Sequence, residues 1–371
     1  MKFYFVAGER SGDLHGGNLI RALKEKKNDL KFRGFGGDNM KEAGMEVVVH
    51  YRELAFMGFA EVLANLSTIS KKIKQCKNDI LNYKPDVVVL IDYAGFNLRI
   101  AKFAKESGIK VFWYISPKVW AWNQSRALKL KRLIDRMFTI LPFEREFFKK
   151  YDWEVDYVGN PVLDAVKAHN NDSDFLIKNE FTDNQPLVAL LPGSRKQEVK
   201  LIVPLFAEIA QALPNVNFGV ATVDNLLAGY YRSLTNLPNV KLISGATYDL
   251  LFHSRAAIVT SGTATLETAL FRIPQVVVYR ASSISYVIAK NLIRVPFISL
   301  VNLIARQEVI KELIQNRANL PEVLNEIKHL LTDDDYRSKI TEGYDQIVNL
   351  LDTGSASGNT ATLMLEYLSE K

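Results

Sequence analysis

Residues 3–26 read FYFVAGERSGDLHGGNLIRALKEK, and residues 187–199 read LVALLPGSRKQEV. Each stretch opens with a short apolar run suited to a strand buried on both faces and passes through a glycine-bearing loop. Each then enters a segment whose apolar residues recur at helical spacing. A strand, a glycine loop and a helix, met twice, predict two parallel α/β sheets. Working outward, further strands are expected at 31–34, 87–91 and 111–115 in the first half. In the second half they are expected at 217–221, 240–243, 257–260 and 275–279.

A chain of 371 residues exceeds what one core usually supports, which favours two domains. The polar stretch AVKAHNNDSDFLIKNEFTDNQP (165–186), rich in Asn and Asp and closed by Pro186, reads as the connection between them. The expected division is 1–165, 185–345, and a C-terminal helix within 346–371 that packs back on the first domain. The fold class is therefore α/β, two doubly wound Rossmann-like domains facing a central cleft, with ligands at the carboxyl ends of the strands.

The net charge of +6 favours anionic partners. A single cysteine, Cys76, excludes an intrachain disulfide and a Cys-rich zinc site, and five scattered histidines show no metal-ligand spacing. No metal and no cofactor are expected. The apolar run 3–7 is too short for a signal-peptide core, and no stretch is long enough to span a bilayer.

Four loops carry the candidate chemistry. The loop at 8–13 lacks both the GxGxxG order of a dinucleotide fold and the GK[ST] of a P-loop. It places Glu9 at a strand end, able to accept hydrogen bonds from sugar hydroxyls, with two glycines that let backbone approach a ligand; the alternative is a structural turn capped by Asp13. Asp92 ends the buried run 87–91, where either a general base or a helix cap belongs, with Asn97 a competing cap. Gly193, Ser194 and Arg195 lie between a strand and a helix, so amides, helix N-terminus and guanidinium suit a diphosphate. Ser261, Gly262 and Thr263 repeat that arrangement, with the Glu267 carboxylate about a turn inside the helix, able to accept from vicinal ribose hydroxyls.

Two stretches point to a lipid. Phe56, Phe59, Ala60 and Leu63 fall at helical spacing, with Met57 and Leu66 widening the stripe, a pattern that also suits a core helix. From Trp113 to Lys150, aromatic residues including Trp120 and Trp122 alternate with cations, as at an anionic membrane surface; a helix burying Leu130, Leu133, Ile134 and Met137 would explain the same pattern. Single-stranded nucleic acid would also fit charge and aromatics, but no RRM, KH, helix-turn-helix or zinc-finger signature accompanies them, so no nucleic-acid partner is expected.

The segments AGERSGDLHGG, GFGGDNM, LAFMGFAEVL, YISPKVWAW, LPFE, LPGSRKQEV, SGTATLE and NLIARQEVIKELIQ occur in this order over nearly the whole chain. In this the chain resembles the lipid-A-disaccharide synthase family. The resemblance implies a GT-B fold and an inverting transfer from UDP-2,3-diacylglucosamine to 2,3-diacylglucosamine 1-phosphate (lipid X). The enzyme would be cytoplasmic, peripheral at the inner membrane, with a homodimer left open. The resemblance assigns functional roles to Glu9, Asp92, Arg195, Glu267 and Asn302, and a membrane-facing role to the region around 56–63. The chain departs from the family pattern at Arg10, in the missing proline and second aspartate after Asp92, at Val301, and at Arg306-Gln307. Competing readings are another UDP-sugar enzyme of the same fold, with a polyprenyl-linked acceptor or as an epimerase, and a non-catalytic UDP-sugar-binding protein.

Overall fold

A computed structural model describes residues 1–54, 66–181, 184–223, 226, 228–282, 286 and 293–370. The chain divides into two compact units, Met1–Pro161 with Asp352–Lys371, and Val162–Leu351.

The first unit holds the strands β1 (Lys2–Ala7), β2 (Lys31–Gly36), β3 (Glu46–His50), β4 (Val87–Ile91), β5 (Lys110–Tyr114), β6 (Arg136–Thr139) and β7 (Asp156–Tyr157). They form one sheet in the order β3-β2-β1-β4-β5-β6-β7, every pair parallel. In β1 and β4 the odd-numbered Phe3, Phe5, Val87 and Val89 join Leu19, Ile20 and Leu23 of the helix α1 (Arg10–Lys26) in one cluster. The alternate residues Tyr4, Val6, Val88 and Leu90 are equally buried on the other face, which is why these strands read as unbroken apolar runs.

α1 begins at Arg10, eight residues earlier than the segment NLIRALKEK implies, so most of the expected glycine loop is helix. Its glycines serve close packing. A Cβ on Gly16 would lie 2.8 Å from Met40 and 2.9 Å from Ile91, and one on Gly17 would lie 2.8 Å from the Asn39 carbonyl oxygen. The helix is thereby pressed onto the sheet and onto the short helix Asp38–Glu42. Asp13 is 1% exposed, and its carboxylate accepts from the backbone N–H of Gly37, Asn39 and Met40 and from Asn39 Nδ2. Asp13 thus caps the neighbouring helix rather than its own turn, joining AGERSGDLHGG to GFGGDNM.

The helix Ala356–Ser369 lies against α1, with Ala361 and Met364 in the same core. Asn359 Nδ2 donates to the Val158 carbonyl at 3.1 Å.

The second unit contains β8 (Leu187–Leu191), β9 (Asn217–Thr222), β10 (Val240–Ser244), β11 (Ala256–Thr260), β12 (Gln275–Tyr279) and β13 (Glu312–Ile314). Their order is β10-β9-β8-β11-β12-β13, again parallel throughout. Both sheets therefore run outward from a central strand in one direction and then back in the other, the doubly wound pattern. The stretch expected to be a bare connection differs. Helices occupy Pro161–Lys167 and Phe175–Lys178, and Phe175 and Phe181 enter the core beside Leu187 and Leu251. Two aromatic side chains suffice to anchor an otherwise polar segment.

Asp13→Ala would leave three backbone donors at the start of Asp38–Glu42 without their acceptor, a loss of about 3 kcal/mol. The thermal unfolding midpoint should fall accordingly. A variant as stable as the parent would show that the carboxylate does not hold this junction.

Candidate active site

In the first sheet Ala7 pairs with Ile91 across β1 and β4, so Gly8-Glu9 and Asp92-Tyr93 leave the sheet side by side. In the second, Leu191 pairs with Val259, so the loops 192–195 and 261–263 do the same. These are the two switch points where connections diverge and a crevice opens in a doubly wound sheet. The four segments singled out by sequence occupy them.

Glu9 is exposed and occupies the N-cap position of α1 in extended conformation, without a side-chain capping bond. Asp92 and Tyr93 both adopt left-handed conformations, with φ of 42° and 46°. Two successive non-glycine residues in this region hold strain of about 1–3 kcal/mol each. Asn97 holds them there: it is fully buried, and its Nδ2 donates to the carbonyls of Ile91 at 3.1 Å and Asp92 at 2.8 Å. The Asp92 amide donates to Tyr114 O at 3.2 Å. Tyr93 Oη donates to Leu54 O at 2.8 Å, and the Tyr93 ring covers Gly8, where a Cβ would come within 2.2 Å of it. Gly8 thus makes room for an aromatic ring. The helix Ala94–Glu106 starts from Tyr93 with no side-chain cap, so Asp92 is not a helix cap. Burial and the nearby Glu9 carboxylate push the Asp92 carboxyl up to about 6, against the opposing pull of the Lys118 ammonium and the Tyr93 backbone.

In the second unit Gly193 has φ 91°, a left-handed position that favours glycine. The 17-residue helix Lys196–Ala212 then begins with no side chain capping it, its amide dipoles directed at the loop. Ser194 is exposed. The Arg195 side chain is 70% exposed, with Nη1 donating to Glu198 Oε1 at 2.7 Å. The helix Thr263–Leu270 follows extended Gly262, likewise without a side-chain cap, and Thr263 is exposed. One turn inside, Glu267 Oε1 accepts from Tyr248 Oη at 3.1 Å. Burial raises the Glu267 carboxyl, and the Tyr248 bond opposes it. Tyr248 is wedged edge-to-face against His169 and Phe271, and His169 Nε2 lies 3.1 Å from Asp249 Oδ1. Among the described residues no cluster of three or more His, Cys, Asp or Glu is disposed to hold a metal ion.

A family profile described as lipid-A-disaccharide synthetase matches residues 3–364. The chain is 39% identical to the lipid-A-disaccharide synthase of Syntrophus aciditrophicus, over 98% of this chain and 97% of that one. It is 36% identical to that of Geobacter sulfurreducens over 100% and 98%. The chain belongs to the lipid-A-disaccharide synthase family. It is accordingly a hexosyltransferase of lipid A biosynthesis. Its architecture is shared with the glycosyltransferase of kitacinnamycin (TM-score 0.70, 14% identity, 99% of both chains). UDP-GlcNAc 2-epimerase from Neisseria meningitidis, solved with UDP-GlcNAc, has it too (TM-score 0.69, 14% identity, 100% of both). The fold is GT-B, two Rossmann-like units.

Within this lipid-A-disaccharide synthase family member, several expected site residues have other roles. Asn302 is fully buried. Its Nδ2 donates to Ile310 O and Glu312 Oε1, and its Oδ1 accepts from the Val309 and Ile310 amides. With its amide committed to these four bonds, Asn302 shapes the 309–312 turn. Ser261 Oγ donates to Ile298 O at 2.8 Å, so it too braces this region. Trp120 is buried against Phe143, its Nε1 donating to Glu144. It is therefore not a membrane contact. Trp122 is 46% exposed with the Arg126 guanidinium 5.1 Å from its ring centroid. The helix there spans only Arg126–Leu133; Met137 belongs to β6, so the supposed apolar face of one long helix is split between helix and strand. Phe56, Met57, Phe59 and Leu63 lie outside the described residues.

Sequence reasoning passed over Glu198 and Tyr248, and counted Lys118 only among the cations of the 113–150 stretch. The i, i+3 spacing of Arg195 and Glu198 was a readable signal. Nothing local linked Tyr248 to Glu267.

Because the folded Asp92 carboxyl titrates near 6 against an ordinary 3.8, the native state holds more protons between these values. Stability therefore falls as pH rises from about 4 to about 6. Asp92→Asn should raise the unfolding free energy at pH 8 by about 1 kcal/mol, with the gain shrinking toward pH 4. A gain equal at both pH values would show that Asp92 is not held in this environment.

Proposed function

We propose that the enzyme condenses UDP-2,3-diacylglucosamine with lipid X in one inverting displacement, giving a β-1,6-linked disaccharide 1-phosphate and UDP. The observation that carries this reading is Asp92, a strained carboxylate at a sheet switch point with its pKa lifted toward working pH. Above about pH 6 it is ionised and takes the proton from the acceptor hydroxyl as that oxygen attacks the anomeric carbon. The bond from that carbon to the diphosphate breaks as the new one forms. The departing charge falls to the amides opening Lys196–Ala212 and Thr263–Leu270 and to Arg195, while Glu267, steadied by Tyr248, accepts from the ribose hydroxyls. The Neisseria epimerase of the same fold, solved with UDP-GlcNAc, supports a UDP-sugar as donor.

Incubation of the purified protein with both substrates in EDTA should release UDP and yield disaccharide phosphate by mass spectrometry. Asp92→Asn should lower kcat by about 10²–10⁴-fold while retaining UDP. The parent kcat/KM should decline below about pH 6 as the carboxylate protonates. UDP-sugar binding with no disaccharide, or unimpaired turnover in the asparagine variant, rules the reading out.

No helix among the described residues is long and apolar enough to cross a membrane. Exposed Trp122 and Leu128 stand among Arg126, Lys129, Lys131 and Arg132. This composition supports a peripheral site on the anionic cytoplasmic face of the inner membrane, each cation contributing about 1 kcal/mol. Vesicles with phosphatidylglycerol should bind the protein at low salt and release it at high salt, and Lys129→Glu with Lys131→Glu should weaken the binding. Indifference to anionic lipid at low salt would remove this surface from the account.

A further inference from the structure

Glu144 of LPFE lies in the short helix Phe143–Lys149 and is 1% exposed. Its two oxygens accept four hydrogen bonds. Oε1 takes one from Ser116 Oγ and one from Trp120 Nε1 at 3.1 Å. Oε2 takes the amides of Ile140 at 3.2 Å and Leu141 at 2.9 Å. None of these donors is a cation, and burial pushes the carboxyl up to about 7 despite all four. Tyr157 of β7 is raised by burial, and the Glu144 charge adds to that rise. A carboxylate buried without a counter-ion is costly, and its partners show what it secures. It ties the turn after β5 to the turn after β6.

The turn after β5 reaches Asp92. Tyr114 O, the last acceptor of β5, receives the Asp92 amide. The next residue, Ile115, has φ 65°, a left-handed conformation that a β-branched side chain adopts only under constraint. Ser116 and Trp120, the two residues Glu144 grips, bracket Lys118, whose ammonium acts on Asp92. The remaining groups acting on Asp92 are Glu9 from the start of α1 and the Tyr93 backbone.

We propose that Glu144 is a positioning residue: by holding Ser116 and Trp120 it fixes the turn that carries Lys118 and keeps that ammonium beside the general base. The proposal rests on Asp92 being the base. Releasing the turn removes positive charge from Asp92, so its proton is held more tightly and the acidic limb of kcat/KM moves to higher pH. The direction is diagnostic, because merely deleting the negative charge of Glu144 through space would move the limb to lower pH.

The experiment is the pH profile of kcat/KM with UDP-2,3-diacylglucosamine and lipid X for Lys118→Met, Glu144→Gln, Ser116→Ala and Trp120→Phe. Lys118→Met should move the acidic limb upward by about half a unit to one unit. Glu144→Gln should move it the same way, and Ser116→Ala and Trp120→Phe, each lacking one donor, by less. Glu144→Gln added to Lys118→Met should give no further displacement. Should Glu144→Gln fail to fold, the two single-donor variants carry the test. A limb moved downward, a limb unmoved despite lost stability, or additive displacements would overturn the proposal. Asp92→Asn separates the two levels: turnover surviving in it removes the base and this proposal together, whereas an inactive Asp92→Asn beside unmoved limbs removes this proposal alone.

Discussion

Burial of both faces of two parallel sheets is the constraint from which the other features follow. β1, β4, β8 and β11 have their apolar side chains covered on either side, so polar chemistry is confined to the strand ends, where the chain must turn and its backbone groups still need partners. A set of buried side chains meets that need. Asp13 receives the donors at the start of Asp38–Glu42, and Asn97 takes the carbonyls where β4 ends. Glu144 fastens the turns after β5 and β6. In the second unit Glu312 accepts from the amides of Ile298 and Ser299 and from Asn302.

A second set stands at the same strand ends with capacity directed outward. Glu9 is exposed at the start of α1, and the other three are supported from behind: Asp92 by Asn97 at its carbonyl, Arg195 by Glu198, Glu267 by Tyr248. This support has a stability cost in left-handed Asp92 and Tyr93 and in carboxyls raised by burial. Such a cost is what a preorganised site carries so that little rearrangement remains during the reaction.

The sheets were legible because two-sided burial writes itself as unbroken apolar runs, and Val87–Ile91 and Gln275–Tyr279 fall where those runs do. Short edge strands such as Asp156–Tyr157 and Glu312–Ile314 leave too few residues for a period. The site loops were legible as positions after strands. The division of labour among their polar residues was not. Asn302 and Glu267 are both polar residues near a helix start, and only the fold shows that Asn302 has spent its amide inside the protein while Glu267 retains an oxygen. Trp120 and Trp122 differ by two positions in one aromatic and basic stretch, yet one is buried on Glu144 and the other exposed beneath Arg126. Interleaved aromatics and cations carry no facing information until the helix bearing them is known to end at Trp122.

The same physics bears on which carboxylate at the first switch point would remove the proton in the proposed reaction. Glu9 and Asp92 leave adjacent strands, but Glu9 is exposed whereas Asp92 is partly buried with the Glu9 charge acting on it. A general base works best with a pKa near the operating pH, and environments that push neighbouring carboxylates apart assign them different tasks. Burial and the Glu9 charge lift Asp92, Lys118 restrains the lift, and the balance lies near 6. Asp92 is then basic enough to accept a proton and still ionised at neutral pH. In the proposed reaction Glu9 tunes Asp92 through its charge and stands exposed where it can accept hydrogen bonds from sugar hydroxyls.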